Sequence, residues 1–241
     1  ITRNPVNAIA LFTRGHAHLL LKSYSKAIAD LDMALKINPN QTLGYFHRAN
    51  AHMALGNYEE ALRDLTAAID ADPKNVEYTF VRGTVYATIR EFKSAVQDFS
   101  KVIAQDNLNA DAFYNRGFVL MQMFEIEKAI EDLSEALNLN TVHSLEAYIN
   151  RGCCYARTEA FDKAVKDFDR ALRLQGQSVE AWVNRGLANA RLDKLQDAIQ
   201  DLTRALEIQP RMPAVLRERA DLYREIGEEE KAAKDEMQAA R

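Results

Sequence analysis

The chain repeats itself every 34 residues: counting from Ala8, the unit begins again at Thr42, Val76 and Ala110, after one extra residue at Leu145, and then at Val179 and Pro213. Alanine fills the twentieth place of every unit, at Ala27, Ala61, Ala95, Ala129, Ala164, Ala198 and Ala232. So strict a period specifies stacked copies of one small element, because each copy is too small to bury its own apolar face and must use its neighbour's. Function is then expected on a surface that the copies share, not in a catalytic pocket.

Within the first unit Leu11, Gly15 and His18 recur at helical spacing, and after Lys22 to Tyr24 a second helical set follows in Ala27, Leu31, Ala34 and Leu35. Two helices joined by a tight turn account for the unit. Pro39, Pro73 and Pro210 close it, since proline cannot continue a helix and restricts the residue before it; Asn107, Thr141 and Gly176 stand in that place elsewhere. Small residues at Gly15, Ala49, Gly83, Gly117, Gly152, Gly186 and Ala220 are expected where the first helix meets the alanines of the second. Larger ones at Tyr24, Tyr58, Phe92, Ile126, Phe161 and Leu195 fill the space beside them.

The pattern resembles the tetratricopeptide repeat family, best seen in AWVNRGLANARLDKLQDAIQDLTRALEIQP at 181–210 and YFHRANAHMALGNYEEALRDLTAAIDADP at 45–73. The resemblance implies an all-α fold, a right-handed superhelical solenoid of antiparallel helix pairs whose first helices line a concave groove. It also implies a non-enzymatic protein-interaction role. The repeats are predicted over 8–41, 42–75, 76–109, 110–144, 145–178, 179–212 and 213–241, together one array. Ile1 to Pro5 align with Leu35 to Pro39 and Leu206 to Pro210, and residues 1–7 are expected to close a preceding repeat. At the other end Glu229 and Glu236 replace the Tyr24 and Leu31 of the first unit, the polar outer face that a capping repeat requires.

Every unit carries Arg just before its small first-helix residue (Arg14, Arg48, Arg82, Arg116, Arg151, Arg185, Arg219) and Asp in its second helix (Asp30, Asp64, Asp98, Asp132, Asp167, Asp201, Asp235). Seven of each in step implies a structural ion-pair ladder, since fork-to-carboxylate geometry suits Arg. The spacing alone leaves two pairings open, within a unit from Arg14 to Asp30 or between units from Asp30 to Arg48.

Residues three or four apart share a helix face, so the groove side of the first helices can be read off. It shows Phe12, Phe46, Phe80 and Tyr114, then His16, Asn50, Thr84 and Phe118, then Leu19, Met53, Ala87 and Met121. The later units place Ile149, Val183 and Arg217, then Cys153, Leu187 and Asp221, on that side, flanked by Arg157 and Arg191. The groove is thus expected to change from apolar to mixed. A wet strip of Phe and Met calls for a partner segment to cover it; the competing reading is that these side chains pack as ordinary core. Asn115, Asn150 and Asn184 fall on one edge, where amides can hold a peptide backbone or bond between repeats; His47 takes that place in an earlier unit. His16 and His47 are expected close together.

The excluded classes follow from composition and from missing motifs. With 35 acids against 31 bases and net charge -4, there is no basic field for nucleic acid. No apolar run reaches the ~20 residues of a membrane span. Cys153 and Cys154 are the only cysteines and are neighbours, so no disulfide framework exists; an intracellular, cytoplasmic setting is expected. There is no Gly-rich phosphate loop, HExxH or CxxC, hence no enzyme, cofactor or metal is expected. Chaperone C-terminal tails are disfavoured as partners, because the places that would hold a carboxylate carry Phe12, Phe46, Phe80, Leu43 and Glu77. The partner expected is a protein or peptide. The alternatives are a scaffold or homo-oligomerisation segment of a larger complex, or the targeting arm of a larger enzyme.

Overall fold

The computed structural model describes residues 7–240, and over these the chain forms fourteen α-helices and no strand. Of the residues expected to close a preceding repeat, only Asn7 lies among them. It caps the first helix, its side-chain oxygen accepting from the Ala10 N–H at 3.0 Å. The chain divides into two compact units between Val119 and Leu120, which are described separately.

The first unit contains α1 (Ala8–Leu20), α2 (Tyr24–Ile37), α3 (Thr42–Ala54), α4 (Tyr58–Ala71), α5 (Val76–Thr88), α6 (Phe92–Gln105) and most of α7 (Ala110–Gln122). Consecutive helices pack as hairpins, α1 on α2, α3 on α4 and α5 on α6, and a second helix packs on the first helix that follows it, α2 on α3 and α4 on α5. The second unit holds α8 (Ile126–Asn138), α9 (Ser144–Arg157), α10 (Phe161–Leu174), α11 (Val179–Arg191), α12 (Leu195–Ile208), α13 (Pro213–Glu225) and α14 (Glu229–Ala239), packed by the same rule. First helices also touch one another, α1 with α3 and α9 with α11.

Each hairpin turn contains one residue in left-handed backbone at the same place of the repeat. Gly56 and Gly227 fill it twice; elsewhere it is Lys22, Arg90, Phe124, Glu159 or Asp193, with φ from 57° to 64°. The turn then closes as in Ser23, whose N–H reaches back to the His18 carbonyl at 2.8 Å, the bond that satisfies the free carbonyls of a helix end. The second helices stop differently. Asn38, Asp72, Asp106, Gln175 and Gln209 are extended at the cap, which is what a following proline imposes where there is one. The extra residue falls between α8 and α9. There α8 ends at Asn138, Asn140 turns left-handed, and the Thr141 N–H closes on the Ala136 carbonyl at 3.0 Å, so α9 begins at Ser144.

The core runs along the second helices. The invariant alanines are 0% exposed but for Ala232 at 1%, because helices meet there with no room for a longer side chain. The small first-helix residues, however, face more than the alanines. A Cβ on Gly15 would lie 2.8 Å from Leu31, on Gly83 2.9 Å from Phe99, on Gly152 2.6 Å from Phe168 and on Gly186 2.9 Å from Leu202. The missing side chain makes room for the large residue four places after the alanine, which each of these repeats buries completely.

The arginines tie this packing together in two directions at once. Within a repeat the Nε and Nη2 of Arg82 donate to Asp98 at 2.7 and 2.9 Å. Arg14, Arg48, Arg151, Arg185 and Arg219 do the same to Asp30, Asp64, Asp167, Asp201 and Asp235. The remaining Nη1 reaches the second helix of the preceding repeat: Arg48 to Asp32, Arg82 to Thr66, Arg116 to Ser100, Arg151 to Ser134, Arg185 to Asp169 and Arg219 to Thr203, at 2.5–3.1 Å. Asp132 is likewise buried, on α8. The guanidinium planes also lie over rings one turn away, Arg185 over Trp182 at 4.7 Å and Arg82 over Tyr86 at 6.0 Å. Asp98 is the first cause holding the Arg82 guanidinium above its ordinary pKa. Arg14, on the first helix described, keeps 45% of its side chain exposed, against 12% for Arg82.

Candidate functional site

In the first unit the candidate face is a half-buried strip, not a bare one. Phe12 and Leu19 rest one side on the cluster of Ala27, Leu31 and Ala51, and Met53 leans on the cluster around Leu65 and Val85. Phe80 meets the buried Phe99 edge to face at 5.6 Å. Phe46 is different: at 8% exposure, with its ring 4.9 Å from Tyr78, it belongs to the core and offers no free surface. Phe118, on α7, is the exposed member at 39%, with Tyr114 half-buried on the same helix. Helical spacing sets the strip, and what each ring finds beneath it decides how much stays open.

His16 and His47 stack at 4.2 Å with planes 5° apart, and Phe12 lies 5.6 Å from His47. Burial, and then the neighbouring His16, lower the His47 pKa to about 4. The imidazole is therefore neutral at physiological pH and acts as a flat aromatic surface. No group of three metal-binding side chains forms among the described residues. Of the polar groups on this strip, Thr84 donates to the Phe80 carbonyl and the Asn115 amide donates to the Asp111 carbonyl at 2.7 Å, both within their own helices. Asn50, on α3, is half-buried. One of the two Asn115 side-chain N–H groups is thus already used by its own backbone.

The second unit carries Met121, half-buried near its start, and a hollow. A cavity of about 640 Å³ opens between α9, α11 and α13, within the size range of ligand pockets. Phe161, Phe168, Leu187, Ala188 and Leu222 supply its apolar lining; Arg157, Arg191, Glu218, Asp221 and Glu225 supply its charge. Asn150 stands half-buried on α9, and the Asn184 amide donates to the Cys153 Sγ at 3.5 Å. Cys153 is partly covered rather than an open thiol, and burial first of all pushes both Cys153 and Cys154 up to about 11. Neither is a thiolate near neutral pH, so neither is set up as a nucleophile. Arg157 lies over the Phe124 ring at 5.2 Å.

The acceptors for the third arginine N–H and the rings beside each guanidinium went unread in the sequence. The rings had a signal: an aromatic stands three places before or four after the arginine in every repeat but the first. The acceptors share only an oxygen, not a residue type.

Models of the tetratricopeptide repeat match residues 8–41, 46–110, 110–143 and 152–222. None of the curated proteins matches the chain by sequence. Among solved structures, MamA is 26% identical with a TM-score of 0.66, the alignment covering 70% of this chain and 92% of that one. YrrB, described as a tetratricopeptide repeat protein with an unusual peptide-binding site, is 26% identical with a TM-score of 0.68 over 77% of this chain and 95% of its own. The C-terminal part of a repeat-containing protein from Cytophaga hutchinsonii shares the fold at 17% identity, with a TM-score of 0.81 over 95% and 93%.

Proposed function

Since the chain belongs to the tetratricopeptide repeat family, we propose that it works as a protein-interaction module, without chemistry of its own, and takes a partner segment along the face of its first helices. The carrying observation is the strip itself: aromatic and aliphatic side chains that rest on the core from one side only, from Phe12 and His16 to the exposed Phe118. Such surface is costly to leave wet and favours a partner that covers it. The likeness to YrrB, which carries a peptide-binding site, supports the same reading.

A protein or peptide is the partner class, and the acidic balance of the chain argues against nucleic acid. No helix among the described residues is long and apolar enough to cross a membrane. The test uses the full chain to select peptides from a random display library, followed by fluorescence anisotropy on the selected peptides. Phe118→Glu and Leu187→Glu are expected to weaken binding, and Lys93→Glu, on the exposed side of α6, to leave it unchanged. If the first two bind as wild type does, the face is not the binding surface, and a scaffold working through its edges or ends becomes the better account.

A further inference from the structure

The hollow of the second unit is electrically divided. Its basic side chains, Arg157 and Arg191, stand at the ends of α9 and α11, in the last turn of each helix. Its acidic ones, Glu218, Asp221 and Glu225, follow one another by three and four residues along α13 and so share one helix face. Among the described residues neither guanidinium forms an ion pair with these carboxylates. Arg157 lies over Phe124, and Asp221 pairs with Arg224 on its own helix at 2.7 Å. The floor between the two charged regions is apolar, formed by Phe161, Leu187 and Leu222.

We propose that this hollow selects a protein segment with an apolar side chain at its centre, an acidic one directed to Arg157 and Arg191, and a basic one directed to the α13 carboxylates. The proposal rests on the reading of the first-helix face as a peptide-binding surface and adds the partner's charge pattern to it. A uniformly acidic segment gains at the arginines and is repelled along α13; a uniformly basic one meets the reverse. Only a segment of mixed sign, in one direction along the groove, satisfies both ends, so the division sets the partner's orientation as well as its composition. Because the charged groups are partly solvated, the selectivity is one of moderate fold-changes that shrink with added salt.

The experiment repeats the library selection with the full chain in three forms: wild type, Arg157→Glu with Arg191→Glu, and Glu218→Lys with Glu225→Lys, each with a photocrosslinking residue in place of Leu187. Melting curves establish folding, and Arg157→Gln with Arg191→Gln replaces the first reversal if that one melts early. Wild type is expected to enrich peptides carrying both signs around an apolar residue. Each reversal should switch the sign at its own end and weaken the wild-type peptides about tenfold at low salt. Peptides that crosslink at position 187 with the same charge composition in all three forms, or that carry a single sign in wild type, overturn the charge proposal while leaving groove binding intact. Peptides that bind without crosslinking there overturn the hollow as their seat, peptides that also bind Phe118→Glu as well as wild type overturn the groove reading, and no enrichment by any form overturns both.

Discussion

Removing one carboxylate from the interior of the arginine ladder is expected to cost far more than a surface ion pair would. Asp98 and Arg82 keep only 3% and 12% of their side chains exposed, and two charge-assisted bonds of 2.7 and 2.9 Å join them. In Asp98→Ala the guanidinium retains Thr66, at 3.1 Å, and the face of Tyr86, but its main counter-charge is gone. An uncompensated buried charge of this kind costs about 3–5 kcal/mol. Thr66→Val, which removes only the bond between repeats, should cost about 1–2 kcal/mol. The double variant Arg82→Met with Asp98→Leu, which removes both charges and keeps the volume, should lie close to wild type. Urea unfolding followed by circular dichroism measures all four. A loss below about 1 kcal/mol for Asp98→Ala, the range of exposed pairs, would refute the assignment, as would an Asp98→Ala penalty that persists after Arg82→Met.

Two further predictions concern packing and pH. Gly152→Ala should lose about 1–3 kcal/mol by overpacking, since its Cβ would meet Phe168 at 2.6 Å. Adding Phe168→Leu should recover most of the loss in thermal melts, because the second repeat already combines Ala49 with Leu65 at these places; no recovery would mean that the clash lies elsewhere. For His47, the folded chain resists protonation down to about pH 4 while an unfolded imidazole takes its proton near ~6.5. Stability is therefore lost as pH falls from the higher value to the lower. His47→Phe should remove that part of the acid sensitivity, and melting temperatures that run parallel for wild type and variant across this range would contradict it.

Fold class was legible because the period and the helical spacing point the same way: Leu11, Gly15, Ala27 and Leu31 recur in register, and local and global signals agree. The opening of α9 at Ser144, ahead of Leu145, was not, since nothing in the residue types announces that Asn140 turns left-handed and ends the preceding helix. On the candidate face, helical phase places Phe12, Phe46 and Phe80 alike, yet only Phe46 is buried, with Tyr78 against its ring. Burial depends on a neighbour from the next repeat, which phase does not encode. The direction of the arginine pairs could not be read either, because one guanidinium has donors enough to serve both repeats.

That double service makes the joints between repeats unequal. Where the acceptor is Asp32 or Asp169, successive bricks are cross-linked by a full ionic contact; where it is Thr66, Ser100, Ser134 or Thr203, only a hydroxyl holds the strap. Salt loosens the first kind and barely touches the second. In a stack whose cohesion is a sum over nearest neighbours, fraying would begin at the hydroxyl joints in dilute buffer and spread more evenly in brine. The order in which the bricks come apart is thus written into a single side chain per repeat.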